Sequence, residues 1–218
     1  MEEKKISILL TAERIFAEKG INGTRMEDIA SKAGISKKTL YVLFRSKDIL
    51  VEQVYLRKLE EFSMYLDKVV TSDKPVLVKI LNYLDTAFVR LDTVTPPVLQ
   101  QIRRSYPNLI KHINKYIEES TFKRIFTLIN ELKEEGYLQE GITIESLLLL
   151  YRNNITNFLT NQFVIRREDS SVEHTDPRYL FCQSIITLFR GLINNLGLAD
   201  FNEKVKTHER LNIYYKSV

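Results

Sequence analysis

One cysteine, Cys182, stands in 218 residues. A single thiol excludes an internal disulfide and any zinc site built on several cysteines, and it fits a reducing compartment. Proline and glycine are scarce, at five and seven, so long regular elements are expected. Long apolar runs are also missing. Segments such as LLLLY at 147–151 fall far short of the ~18 apolar residues that a membrane helix requires. The opening MEEKKISILLTAERIF has acids before and inside its apolar part, whereas a signal peptide has a basic start and an unbroken apolar core. A cytoplasmic protein is therefore expected. The chain has no phosphate-cradling glycine loop, no HExxH and no GxSxG. Its three histidines are His112, His174 and His208; the second falls in a polar loop and the third in the tail. An enzyme is not expected, nor a metal or a cofactor.

What is present is an ordinary globular balance, 44% hydrophobic and 28% charged, with a formal charge of +4. Period-2 alternation is nearly absent and a period near 3.6 dominates, so the expected fold class is all-α, with nine or ten helices. The first runs from about Glu3 to Lys19 and stops at Gly20. Thr24-Arg-Met-Glu27 reads as a capping box opening a short second helix that ends near Ala33-Gly34. Ser36 caps an equally short third, and Ser46 or Lys47 starts a fourth reaching Val70. Pro75 suits the first turn of a fifth. Thr95 and Pro96 open a sixth, which SYP at 105–107 ends. Longer helices are expected over about 108–135, 144–167 and 177–195, with Asp176 capping the last of these, and a final one over about 199–214. The division is placed after about Glu52, giving segments 1–52 and 53–218.

The second and third helices are joined by AGIS, and two short helices around a glycine-containing turn make a helix-turn-helix. Ile29, Ala30 and Ala33 form a small apolar face on the second helix, and Ile35 plugs the turn. Leu40 and Phe44, four apart, share a side of the third helix and its exit. Lys37, Lys38 and Tyr41 project the other way. Between Asp28 and Asp48 lie Lys32, Lys37, Lys38, Arg45 and Lys47, and no acid. Cations at a helix N-terminus oppose the helix dipole, so the lysines of the third helix ask for an external anion. A solvated basic face is the plain reading. A basic patch centred on the second helix of a helix-turn-helix is also the footprint of a DNA contact, and the two patterns together favour DNA.

The same residues resemble the DNA-binding region of the tetracycline-repressor (TetR) family over 6–56. The matching positions are Ala12, Phe16, Gly20, Thr24, Ile29-Ala30, Ala33-Gly34, Ile35-Ser36, Leu40-Tyr41, Phe44, Ser46-Lys47 and Leu50. The resemblance implies an N-terminal three-helix DNA-binding domain and a C-terminal helical domain for ligand binding and dimerisation. It implies that Thr24 and Arg25 hold phosphate, that Ser36, Lys37, Lys38 and Thr39 face the major groove, and that Tyr41 and Lys47 grip the backbone. The family usually has Tyr or His, a phosphate contact, before the Phe. This chain has Leu43 there, so that contact is lost or taken over by Arg45 or Lys47.

The later helices carry many aromatics, among them Tyr83, Phe88, Phe122 and Phe163. Most belong to a core, but pockets for small molecules are also apolar with a few placed polar groups. The candidate ligand-binding residues are Arg103, Tyr106, Tyr116, Phe126, Tyr151, Asn154 and Phe158. Arg104, His112 and Asn157 are further polar candidates, His112 reading better as a surface residue. Asn154 shares a face with Tyr151 and Phe158, and there it enters a cavity, meets another helix or is solvated. The helices at 144–167 and 177–195 are apolar on more than one face, and excess apolar surface meets a partner. The resemblance implies that they form a four-helix homodimer interface and that the dimer reads a palindromic operator. It implies a repressor released by a small molecule acting through helices near 96–106, and an aromatic pocket with few charges favours a lipophilic or amphipathic one. A regulator of the same build controlled by a protein partner is the other reading.

Overall fold

The computed structural model describes residues 2–93, 96–159 and 177–215. Those residues are all-α. Eleven helices occur among them: α1 Glu2–Gly23, α2 Met26–Lys32, α3 Lys37–Leu43, α4 Lys47–Val70, α5 Val76–Thr93, α6 Pro96–Ser105, α7 Pro107–Glu134, α8 Ile144–Leu159, α9 Pro177–Leu192, α10 Asn195–Thr207 and α11 Asn212–Tyr215. The described residues contain no strand; Leu138 and Ile193 form one isolated antiparallel bridge. The Thr95 and Asp176 caps, the stretch to Arg167, Phe163 and the His174 loop lie outside the described residues.

Most boundaries follow the expected punctuation. Ser36 Oγ accepts from Thr39 N–H at 3.0 Å, and Ser46 Oγ accepts from Ile49 N–H at 3.2 Å. Each hydroxyl thereby satisfies an amide that the first turn of a helix leaves without a partner. Pro75 stands just outside α5, and the Glu135 carboxylate accepts from Val76 N–H at 3.0 Å. The tail differs from expectation. Asn194 caps α10, its Oδ1 accepting from Leu196 N–H at 3.1 Å, so that helix starts earlier than Ala199 and a break at residues 208–211 separates it from α11.

The Thr24 cap is corrected. Gly20 takes a non-helical backbone with φ of 73° inside α1, and the following turn carries Thr24 inward. It is 1% exposed, and its hydroxyl donates to Gly20 O at 2.7 Å. The N-cap of α2 falls one residue later, at Arg25, whose N–H donates to Asp28 Oδ2 at 3.0 Å.

By backbone proximity the chain falls into two compact units, Met1–Ser63 with Val94–Lys115, and Met64–Thr93 with Tyr116–Val218. The first unit is larger than the 1–52 segment, taking in more of α4 together with α6 and the start of α7. Its core is built on Ile8, Ala12, Phe16, Ile29, Leu40, Phe44, Leu50 and Val54, with Ile102 and Leu109 packed in. Full burial of side chains such as Leu40 and Phe44 stabilises by about 1.5–3 kcal/mol each. Glu13 on α1 accepts from Arg57 at 2.7 Å and Lys58 at 3.0 Å on α4. The second unit buries Val76, Ile80, Leu84, Leu128, Leu132, Ile185 and Phe189 among others. Within it Lys79 of α5 meets Glu131 of α7 at 2.9 Å.

Candidate nucleic-acid interface

The turn between α2 and α3 is compact for a chemical reason. Ala33 N–H donates to Ile29 O at 2.9 Å and Ile35 N–H to Ala30 O at 3.0 Å. Gly34 sits between them with φ of 65°, a left-handed conformation that glycine adopts without steric cost. Ile35 is half-buried against the core, and Ser36 then starts α3.

Of α3, Leu40 faces the core, fully buried, and Phe44 just past its end does the same. Lys37, Lys38, Tyr41 and Val42 are exposed, while Thr39 is half-buried. The Thr39 and Ser36 hydroxyls lie 2.8 Å apart. Arg25 and Arg45 are exposed, and Lys47 is half-buried at the first position of α4. The expected DNA-facing residues other than Thr24 therefore lie at or near the surface of one helix-turn-helix. Leu43 is half-buried against the core, so its side chain turns inward.

Lys37 is not left facing the helix dipole alone. Glu27 of α2 forms an ion pair with Lys37, both side chains exposed. The hydrogen bond from Lys37 holds the Glu27 carboxyl below its usual range, and the same contact holds the Lys37 ammonium above its own. Lys37 Nζ also lies 5.9 Å from the centre of the Tyr41 ring. An anion for Lys37 is thus supplied by the chain itself.

The seven candidate ligand residues divide between the two units. Arg103 and Tyr106 belong to the first unit, the other five to the second. Burial lowers the Arg103 pKa. The Tyr106 phenol is raised by burial and then by the Asp48 carboxylate beside it. Phe126 is exposed. On α8, Asn154 turns out to meet another helix: Oδ1 accepts from Ser184 of α9 at 2.8 Å and Nδ2 donates to Leu150 O at 3.0 Å. Phe158 packs on Phe181, ring centres 4.7 Å apart. Tyr151 is buried with its hydroxyl 3.4 Å from that of Tyr83. The Arg124 guanidinium, buried near this pair and near Tyr116, binds Asp67 through two nitrogens at 2.8 and 3.0 Å. Sequence reading missed Arg124, because an arginine on a long amphipathic helix looks like solvated surface. His112, expected at the surface, is exposed and 3.1 Å from Glu52.

A helix-turn-helix with a basic, outward-facing second helix defines a class of double-helix-reading domain. Residues 8–54 match the family model of the bacterial regulatory proteins, tetR family, and in this region the chain is similar to that family. The HTH-type transcriptional regulator YerO of Bacillus subtilis strain 168 is 47% identical over 51 residues, 23% of this chain and 18% of YerO. YuxN, an HTH-type transcriptional regulator of the same strain, is 31% identical over 112 residues, 51% of this chain and 32% of YuxN. The chain thus spans at most 32% of the length of these two relatives. Over nearly the whole chain the fold is similar to that of the transcriptional regulator FadR from Bacillus subtilis, whose structure is a complex with stearoyl-CoA. The TM-score is 0.59 at 17% identity, covering 86% of this chain and 98% of FadR. No helix among the described residues is long and apolar enough to cross a membrane.

Proposed function

We propose that this chain is a DNA-binding transcriptional regulator, a homodimeric repressor in the cytoplasm that a small molecule releases from a palindromic operator. The observation that carries the reading is the outward face of α3, where Lys38 stands exposed beside Lys37 and Tyr41 on a helix held to the core by Leu40 and Phe44. Nothing in the core requires those lysines, and phosphates or guanine O6 and N7 are the partners their chemistry suits.

In this reading residues 1–52 recognise DNA and 53–218 bind the ligand and the second copy. Ser36, Lys37, Lys38 and Thr39 face the major groove. Tyr41 and Lys47 hold the backbone, and Arg25 holds a phosphate at the start of α2. Thr24 supports that corner from within the core. With Leu43 turned inward, Arg45 takes the phosphate that a polar residue there would hold. The effector is a lipophilic or amphipathic molecule, a reading supported by the stearoyl-CoA complex of FadR and by the aromatic character of the second unit. It acts only to the extent that it binds the DNA-incompetent arrangement more tightly than the competent one.

Fluorescence anisotropy with the duplex upstream of the protein's own gene, at about 50 and 200 mM salt, tests the reading. Wild type should bind a palindromic segment tightly and weaken steeply with salt. The Lys37→Ala/Lys38→Ala double variant should lose the preference for that segment. Weak, sequence-blind binding there and in a selection from random duplexes would remove the proposal.

A further inference from the structure

Val42 is 74% exposed. Among residues 31–48 it is the one aliphatic side chain left in solvent; the others exposed there are Ser31, Lys32, Gly34, Ser36, Lys37, Lys38, Tyr41, Arg45 and Asp48. Ala33, Ile35, Leu40, Leu43 and Phe44 are all at least half-buried.

Its place on α3 is defined by helical geometry. At 3.6 residues per turn, Val42 stands one turn beyond Lys38 on the same face. Leu40, two residues from each, is fully buried, so Lys38 and Val42 occupy the side of α3 turned away from the core. A β-branched residue is also a mediocre choice for an exposed helical position, where alanine or a long polar side chain is more favourable. Val42 therefore adds nothing to the core and slightly disfavours its own helix.

An aliphatic group beside a lysine on a major-groove helix has one complementary feature on the bases. The groove offers hydrogen-bonding atoms from every base pair, but a single apolar group, the 5-methyl of thymine. We infer that Val42 is a sequence-determining residue that packs its methyl groups on a thymine 5-methyl, one helical turn along the groove from the base or phosphate taken by Lys38. The inference rests on the DNA-reading function proposed above and sharpens it. Lysine supplies attraction and some preference for guanine, whereas Val42 supplies discrimination that salt does not screen.

The test uses the full chain. A preferred duplex is first selected from a random library with wild type. Anisotropy is then measured for wild type, Val42→Ala and Val42→Thr on that duplex, and on duplexes in which each thymine, in both half-sites together, is replaced by deoxyuridine. That replacement removes the 5-methyl and nothing else. At one thymine position wild type should weaken by about three- to tenfold. Val42→Ala should weaken by a similar factor on the unmodified duplex and be indifferent to deoxyuridine at that position. This non-additivity marks direct contact. Val42→Thr, which keeps a methyl, should retain part of the discrimination. The salt dependence of Val42→Ala should equal that of wild type, because no charge is lost. The inference is overturned if Val42→Ala matches wild type on every duplex, or if the selected motif contains no thymine whose methyl matters. If wild type selects no motif, the DNA-reading function falls first and this inference with it.

Discussion

Lys37 of α3 and Glu27 of α2 are joined by an ion pair across the helix-turn-helix. The contact lies on the surface, so it does little for stability, yet it occupies one of the cations that the proposed function turns toward DNA. In that proposal Glu27 competes with phosphate for Lys37. Glu27→Gln should tighten binding to the selected duplex by about two- to fivefold at low salt, with the gain shrinking as salt rises. Its thermal midpoint should match wild type. Weaker binding by Glu27→Gln would show that the carboxylate orients Lys37 instead of competing for it.

The local chemistry of the turn gives a second expectation. Ser36→Ala removes the hydroxyl that accepts from Thr39 N–H and should cost about 1 kcal/mol. Gly34→Ala meets no atom within 4 Å, so its cost is conformational alone, about 1–2 kcal/mol for a left-handed residue with a side chain. Urea unfolding curves would check both. A Gly34→Ala variant as stable as wild type would contradict the backbone assignment.

This turn is where sequence and structure agree best, and the reason is locality. Ser36, Gly34 and the Leu40/Phe44 spacing each act within a few residues, so their signals survive in the bare sequence. Thr24 misled because its pattern, T-x-x-E, matches a capping box, whereas the cap falls one residue later at Arg25, whose N–H is held by Asp28. The choice was made by the φ of 73° at Gly20, which turns the Thr24 hydroxyl inward. The Lys37–Glu27 pair and the Arg124–Asp67 pair were illegible because their partners belong to different helices. The candidate ligand residues were chosen by residue type and helical spacing, and neither fixes which of two compact units a side chain joins. Arg103 and Tyr106 accordingly belong to the first unit, and Tyr151 and Phe158 to the second.

Packing at the start of α10 leaves no room for a side chain at Gly197. A Cβ there would stand 2.9 Å from Ile193 Cγ2 and 2.9 Å from a Tyr137 ring carbon. Gly197→Ala should destabilise by about 1–3 kcal/mol through overpacking, despite alanine's better helix propensity. Chemical denaturation gives the sign directly, and a stabilised variant would mean that the Tyr137 ring swings aside freely.

Several tyrosines tie stability to alkaline pH. Burial, with Glu13 and Tyr106 nearby, pushes the Tyr55 phenol up to about 12. Burial also raises Tyr83 and Tyr151. An unfolded tyrosine ionises near pH 10. Above that pH the unfolded chain gives up protons that the folded chain retains, so stability is full below about pH 10 and falls as pH rises through about 12. Unfolding free energies across that window should decline, with phenolate absorbance appearing together with loss of helix. Tyr55→Phe should flatten the decline, and an unchanged slope would show that Tyr55 ionises without unfolding.

On α8, Leu149 and Leu150 are 57% and 51% exposed, and the proposed homodimer sets this face against a second copy. Sedimentation should find wild type dimeric and Leu149→Asp/Leu150→Asp monomeric, with an unchanged far-ultraviolet spectrum. A dimeric double variant would move the interface elsewhere.

The division of labour within α3 has an evolutionary consequence. Its attachment to the fold is carried by Leu40 and Phe44, while Lys38 and Val42 face outward. Substitutions on the outer face leave folding nearly unaffected, so they are filtered only by what the surface recognises. Such a helix permits gene duplicates to drift toward new target sites by single codon changes, each intermediate remaining a folded protein.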